Sequence, residues 1–172
     1  TPALFRRANT PEVILALGQK KLITYIRSTG FYNAKSKNII ACARMLKEKF
    51  GSVVPRSLEE LTSLPGVGRK TASVVLCQAF NIPAFPVDRH VLRVANRLGL
   101  AQAKSPDETD IQLRKAIPKE LWIPSHLRII LLGRSSCRPK PLCEKCPLNK
   151  VCPEGSRRLG LGSIGRRRLT QK

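Results

Sequence analysis

The chain has 172 residues, 42% of them hydrophobic, which is enough for one ordinary domain or two small ones that share a core. Lys and Arg number 32 against 11 Asp and Glu, and a formal net charge of +21 repels itself in a compact protein unless a polyanion binds. Nucleic acid is the expected partner; an anionic lipid surface, or adaptation to a compartment, is the alternative. No apolar run approaches the about 18 residues that a transmembrane helix needs, so the sequence predicts no membrane span.

Residues typical of helix ends recur along almost the whole chain and predict an all-α fold. Thr10-Pro11-Glu12 begins a first helix, which Gly18 is expected to close, and Gly51 ends a later apolar stripe. Ser57 and Ser105 each begin a capping box. No run of alternating polar and apolar residues has the length of a strand. Further helices are predicted at about 69–80, 88–98 and 125–134.

A glycine-rich segment, Leu64-Pro65-Gly66-Val67-Gly68-Arg69-Lys70-Thr71-Ala72, lies between two predicted helices. Its glycines permit backbone conformations that other residues resist, and bare N–H groups at the start of the second helix attract an anion. An ordinary turn between helices also needs glycine. The flanking Leu-Pro and Arg-Lys pairs and the net charge favour a DNA phosphate. The predicted DNA-binding residues are Leu64, Gly66, Val67, Gly68, Arg69 and Thr71.

Lys70 falls in the first turn of the helix that follows this segment. The helix dipole opposes a cation there and Arg69 adds like-charge repulsion, so both favour the uncharged amine, which is a nucleophile. A lysine that only contacts a phosphate fits the same charges. The charges alone leave both interpretations open.

Asp88 stands at the start of the next predicted helix, within Pro86-Val87-Asp88-Arg89-His90-Val91. Helix N–H groups stabilise its carboxylate, and an anion beside a sugar that is losing its base would stabilise the cationic transition state. The alternative is an aspartate that only caps its helix. His90 and His126 are interpreted as packed or hydrogen-bonded residues, not as ligands.

Four of the six cysteines fall within Cys137-x5-Cys143-x2-Cys146-x5-Cys152, which we call the cysteine loop (residues 137–152). Four sulfur ligands suit either a tetrahedral zinc or an iron–sulfur cluster, and the spacing does not separate the two. Basic residues are interleaved with the cysteines, so the metal is expected to hold a positively charged lobe in shape. Cys42 and Cys77 lie alone in apolar helical patterns and are interpreted as buried free thiols.

From about residue 9 to residue 152 the sequence resembles the endonuclease III branch of helix-hairpin-helix DNA glycosylases. The matching motifs are Leu64–Ala72, Val87-Asp88-Arg89-His90, Gly30-Phe31-Tyr32-Asn33-Ala34-Lys35, Gly133-Arg134 and the four late cysteines. The lysine followed 18 residues later by an aspartate is specific for the members with lyase activity. This resemblance implies a monomeric base-excision-repair enzyme that binds damaged double-stranded DNA between two lobes and flips the base out.

The same resemblance implies the roles of the site residues. Lys70 would attack C1′ of the deoxyribose and Asp88 would assist, so that an oxidised pyrimidine leaves and β-elimination cuts the strand. A 4Fe–4S cluster, with structural zinc as the alternative, would be bound by Cys137, Cys143, Cys146 and Cys152. The enzyme would work in the cytoplasm or nucleoid of a prokaryote, or in the nucleus or mitochondrion of a eukaryote, away from membranes.

Three segments are expected. Residues 1–100 form a helical lobe with the helix-hairpin-helix at about 57–80, and residues 101–152 form a second helical lobe with the cysteine loop. Residues 153–172 form a basic, disordered tail, because from Ser156 onward the sequence holds five arginines, one lysine and no acidic residue.

The sequence departs from the family pattern in three places. The stretch between Cys137 and Cys143 is one residue shorter, Leu132 replaces a histidine that often precedes the Gly-Arg pair, and this sequence begins after the point where the family's amino-terminal segment, with a gap-filling glutamine, is expected. A non-catalytic or weakly active DNA-binding protein is therefore one alternative. Another is a glycosylase of the same fold that acts on mismatched thymine or on a pyrimidine dimer.

Overall fold

The computed structural model describes residues 2–162, and the regular secondary structure of that part is entirely helical, as predicted. No helix among the described residues is both long enough and apolar enough to cross a bilayer. Two 3-10 turns lie at Lys119–Leu121 and Cys143–Lys145. The α-helices are α1 Pro2–Arg7, α2 Pro11–Ile26, α3 Tyr32–Phe50, α4 Leu58–Ser63, α5 Arg69–Phe80, α6 Arg89–Leu98, α7 Pro106–Ala116, α8 Trp122–Ser135 and α9 Pro153–Leu159.

Side-chain oxygens begin several of these helices where the sequence predicted a cap. The Ser57 hydroxyl accepts the N–H of Glu60 at 3.1 Å, and the Ser105 hydroxyl accepts the N–H of Glu108 at 3.2 Å. At the other end, Gly51 takes a left-handed conformation with φ 56°, which a residue with a Cβ adopts only at a cost. These local signals therefore fix the ends of α3, α4 and α7.

One helix boundary agrees with the prediction and a second differs. The backbone leaves helical geometry at Gly18, with φ 71° and ψ 161°, so α2 consists of two helical segments joined at a kink, and Gly18 ends the first segment as predicted. Leu22 and Ile26 of the second segment are buried in a core. Helix α8 begins at Trp122, three residues before the predicted start. Pro124 is tolerated there because the first turn of a helix has no acceptor for its missing N–H.

The chain divides into two compact units, and the first comprises Thr1–Ala72. The boundary between the units therefore lies after Ala72, whereas the sequence predicted it after residue 100. The core of the first unit is formed by buried Leu4, Ala8, Leu22 and Ile26. Half-buried residues of α3, including Ile39 and Ile40, pack against that core. This unit carries the glycine-rich hairpin.

The second unit begins at Ser73 and is organised around α6. Helices α7, α8 and α9 all contact α6. Gly133 of α8 lies so close to α6 that a Cβ there would come within 3.1 Å of Val94 Cγ2, so the two helices approach closely at this glycine. The buried core comprises Phe85, Val87, Val91, Val94, Ala95, Ala101, Leu113 and Ile129.

The disordered tail predicted from residue 153 is wrong for its first part. Pro153–Leu159 forms α9, and the sulfur of Cys152 accepts the N–H of Gly155 at 3.4 Å at its start. Gly155 and Ser156 are buried, and the Ser156 hydroxyl donates to the carbonyl of Asn149 at 3.3 Å. Burial of small residues thus stabilises a helix in a basic sequence. Residues 163–172 of the predicted tail lie outside the described residues.

Candidate active site and metal centre

The hairpin connects α4 to α5 through a tight turn. The N–H of Val67 donates to the carbonyl of Leu64 at 3.0 Å, Pro65 occupies the second position of the turn, and Gly66 has φ 78°. A type II turn requires a positive φ at that third position and favours proline before it. The Val67 N–H is therefore used inside the turn, and the predicted phosphate donors must lie further along the chain.

Residues at the start of α5 supply those donors. The first backbone bond of that helix region runs from the N–H of Ala72 to the carbonyl of Gly68 at 3.0 Å. The N–H groups of Gly68, Lys70 and Thr71 come before it and have no acceptor within the helix. All three residues are exposed. They form a cluster of donors at the positive end of a helix dipole, which is the arrangement that binds an anion.

Leu64 differs from the other predicted DNA-binding residues because its side chain is only 4% exposed. Its carbonyl is also used in the turn. Leu64 therefore anchors the hairpin in the first unit, and its predicted contribution to DNA binding is indirect. Arg69, in contrast, is exposed beside Lys70.

Lys70 is the second residue of α5, and its side chain is exposed. It belongs to the first unit, whereas Asp88 belongs to the second. An exposed amine beside unsatisfied helix N–H groups can reach a substrate whose phosphates those groups bind.

Asp88 caps α6. One oxygen of its carboxylate, Oδ1, accepts the N–H of His90 at 2.8 Å and the N–H of Val91 at 2.9 Å. Two donors on one oxygen hold the carboxylate in a fixed orientation. The residue is half-buried and follows buried Val87, so it is a well-positioned anion at the edge of the second unit.

The two histidines are packed, as the sequence suggested. Nδ1 of His90 lies 3.2 Å from Nη2 of Arg93, and since an arginine can only donate, Nδ1 is the acceptor in this pair. His126 is buried and lies edge-on to Phe85, with 6.2 Å between ring centroids. These contacts assign both rings to packing in the second unit.

The cysteine loop brings its four thiols around one cavity. The lining includes Arg97 of α6 and residues of α8 as well as Cys137, Cys143, Cys146 and Cys152. Burial raises the pKa of the Cys143 thiol, the other three cysteines raise it further, and Arg158 lowers it. Within residues 2–162, however, no group of three or more His, Cys, Asp or Glu side chains is arranged to hold a metal ion. Four thiols that line one cavity are the donors that either a zinc ion or an iron–sulfur cluster requires.

Exposed cations are interleaved with the four cysteines along the loop. Glu144 alone among the loop residues between Cys137 and Cys152 is acidic. Because the basic side chains are exposed, the loop presents a cationic surface, as the sequence predicted. The cations of the loop are Arg138, Lys140, Lys145 and Lys150.

The remaining two cysteines lie apart from this loop. Cys77 is buried and its thiol donates to the carbonyl of Ala84 at 3.1 Å, while Cys42 is half-buried. Burial raises the pKa of both thiols, which keeps them protonated and unreactive.

Phe31 belongs to one of the matching motifs, but the sequence prediction gave it no role. This residue is 89% exposed and has a left-handed backbone with φ 59°, at the N-cap of α3. Such a conformation is rare for a bulky residue and exposure of a whole aromatic ring is unfavourable in water. The signal available in the sequence was an aromatic residue directly after Gly30, in a turn between two helices.

Comparison with known proteins places this geometry in a family. Residues 1–119 match the family described as HhH-GPD superfamily base excision DNA repair protein. Endonuclease III of Thermotoga maritima is 43% identical over 165 residues, which cover 95% of this chain and 77% of that protein. Endonuclease III of Bacillus subtilis is 44% identical over 168 residues, covering 96% and 77%. A solved structure described as a trapped endonuclease III–DNA covalent intermediate, an estranged-adenine complex, has a TM-score of 0.87 and 44% identity, over 92% of this chain and 75% of that one.

The described residues form a helical fold with a glycine hairpin at the start of a helix, and the family match over residues 1–119 places the chain in the class of base-excision DNA repair proteins. Within that class, the chain belongs to the endonuclease III family of the HhH-GPD superfamily, because relatives of that name match nearly its whole length. Its activity is that of a DNA glycosylase and AP lyase. The resemblance drawn from the motifs is confirmed.

Proposed function

We propose that this enzyme removes oxidised pyrimidines from double-stranded DNA and cuts the strand through a Schiff base on Lys70. The observation that carries the proposal is the exposed Lys70 amine in the first turn of α5, beside helix N–H groups that have no acceptor within the helix. The solved relative described as a trapped covalent intermediate with DNA supports a covalent route for this chain.

In the first step the lone pair of Lys70 Nζ forms a bond to C1′ as the C1′–N bond breaks, and the damaged base leaves with that electron pair and gains a proton. The amine loses a proton and the sugar ring opens to a protonated Schiff base. Loss of a C2′ proton then breaks the C3′–O bond, which leaves a phosphate on the departing strand. The positive Schiff base accepts the electrons of the C2′–H bond, so the same lysine serves both steps.

Asp88 is proposed to stabilise the positive charge that develops at the sugar as the base leaves. The His90 and Val91 N–H groups orient its carboxylate before substrate binds, so no reorganisation is needed in the transition state. The unused oxygen, Oδ2, would face the sugar.

Phosphates of the DNA are proposed to bind the N–H groups of Gly68, Lys70 and Thr71, with Arg69 as a further cation. Phe31 is proposed to act as an apolar wedge between base pairs, because DNA-bending proteins insert such side chains between base steps. Its left-handed backbone and 89% exposure are unfavourable in the free protein and become useful only against a partner.

The four loop cysteines are proposed to hold a 4Fe–4S cluster. When bound, such a cluster cross-links the loop and lends it a redox-active centre, with no part in the bond changes at the sugar. Structural zinc bound by the same four thiolates is the alternative. The four loop cysteines line one cavity, which supports a single shared group, and membership of the endonuclease III family supports the cluster over zinc.

The proposal is tested by borohydride trapping on duplex DNA that carries thymine glycol or an abasic site. We expect a covalent adduct on both duplexes and strand cleavage in the absence of borohydride. Tight binding without an adduct would favour the non-catalytic alternative. An adduct on the abasic duplex, with release of a base only from a thymine mismatch, would favour the other lesion class.

A further inference from the structure

Helix α6 reaches both ends of the cysteine loop through one residue, Arg97. Its guanidinium donates from Nη1 to the carbonyl of Arg138 at 2.6 Å and from Nη2 to the carbonyl of Pro139 at 2.9 Å. Nη1 also lies 3.5 Å from the sulfur of Cys137, within range of a hydrogen bond to sulfur. The backbone carbonyl of Arg97 accepts the thiol of Cys152 at 3.2 Å.

Packing in the core of the second unit holds the backbone of Arg97 in place. Val94 and Ala95, in the turn before Arg97, are fully buried, so the position of the Arg97 backbone is fixed by the core of the second unit. Arginine carries its donors in a planar fork, and three acceptors on one stretch of chain engage both of its terminal nitrogens. The carbonyls of Arg138 and Pro139 lie outside any helix and need such donors.

A second arginine of α6, Arg93, donates to backbone carbonyls and, within residues 2–162, to no cysteine sulfur. Arg93 donates to the carbonyls of Cys137 and Gly133, at 3.1 and 3.0 Å, and fixes the backbone where α8 ends. Arg97 differs from it because a charged donor faces a cysteine sulfur directly. Once that sulfur is a thiolate, the contact becomes a charge-assisted hydrogen bond.

We propose that Arg97 is a positioning residue that presents Cys137 to the metal group and raises the reduction potential of that group. This inference rests on the cluster proposed above. A hydrogen bond to a ligating sulfur and a nearby positive charge both stabilise the more negative, reduced form. A role limited to holding the loop would slow loss of the metal without moving the potential.

The test compares the holoprotein with Arg97→Gln, Arg97→Lys and Lys140→Gln. Lys140 is exposed in the same loop, so Lys140→Gln removes one positive charge from the loop as a control. Iron and sulfide per chain, the rate of iron loss to a chelator and the reduction potential are measured without DNA. We expect Arg97→Gln to lose iron about ten-fold faster or more and to have a more negative potential. Arg97→Lys should lose iron faster than the wild type and keep a potential closer to it, and Lys140→Gln should change neither property appreciably.

Two results would overturn the inference while leaving the cluster intact: a wild-type rate and potential in Arg97→Gln, or an equal effect in Lys140→Gln. If Arg97→Gln does not fold, Arg97→Lys decides, and an unchanged rate of iron loss in it counts against the inference. A wild-type protein that binds zinc in place of iron contradicts the proposed cluster itself, and is recognised before any variant is made.

Discussion

Asn38 of α3 lies directly against Gly66 of the hairpin: a Cβ added at Gly66 would fall 2.7 Å from the Cβ of Asn38. The backbone of Gly66 also has φ 78°, which residues with a side chain rarely adopt. The backbone of α3 fixes the position of the Asn38 Cβ, so a change of rotamer cannot relieve this contact. The hairpin and α3 therefore fit together only with glycine at this position.

We predict that Gly66→Ala destabilises the protein by about 2 kcal/mol or more, because the clash adds to a left-handed penalty of about 1–2 kcal/mol. Gly68→Ala is the matched control, since nothing lies within 4 Å of a Cβ there. Because Gly68 precedes the first turn of α5 as its N-cap, its replacement by alanine should lower the free energy of unfolding by less than about 1 kcal/mol. Urea unfolding of both variants measures the difference. Equal destabilisation would mean that the Asn38 contact is not what requires glycine.

Asp88→Asn should slow base removal by about 10²-fold or more while the free energy of unfolding stays near that of the wild type. Asparagine caps a helix as well as aspartate but carries no charge to stabilise a cationic transition state. Single-turnover base release and urea unfolding are measured on the same preparation. Ser105→Asn exchanges one capping residue for another at the start of α7, so it is the control for the effect of a changed cap on stability. Wild-type turnover in Asp88→Asn would reduce Asp88 to a structural cap.

Phe31→Ala should weaken binding to a damaged duplex and slow base removal from it, with little loss of stability, because the ring is exposed. A lesion in a single strand needs no wedge, so the effect should be smaller there. Val53→Ala, another exposed apolar change in the first unit, serves as the control. Equal effects of Phe31→Ala on duplex and single-stranded substrates would argue against a wedge.

The purified protein should be brown, with broad visible absorbance, and Cys146→Ser should lose both the colour and iron. Salt-dependent affinity for DNA should fall as well, since the basic loop is no longer held in shape. Cys42→Ser should retain the colour, because Cys42 lies outside the loop. A colourless wild-type protein with one zinc per chain contradicts the proposed cluster.

Helix ends and the position of Asp88 at a helix cap could be predicted from the sequence because their signals are local. Ser57 and its partner Glu60 are three residues apart, and Asp88 caps α6 through the N–H groups that follow it directly. Gly18 is a further local signal, because its positive φ ends the first helical segment of α2 as predicted.

Contacts between distant residues could not be predicted in this way. Arg93 and Arg97 bond to groups 40 residues or more along the chain, so no local spacing reveals them. The same holds for α9, whose basic sequence resembles a tail and whose burial is visible only in the fold. Tertiary packing, in each case, overrides the local pattern.

The central claim is that Lys70 is the nucleophile, and its most direct test is borohydride trapping with Lys70→Arg. This variant keeps the positive charge at the hairpin, so DNA affinity across a salt series should match the wild type, while its guanidinium cannot form the Schiff base. Peptide mapping of the wild-type adduct should place the DNA on Lys70. We predict no adduct and no strand cleavage by Lys70→Arg at full DNA binding. A trapped adduct in Lys70→Arg, or a wild-type adduct on another lysine, would contradict the assignment.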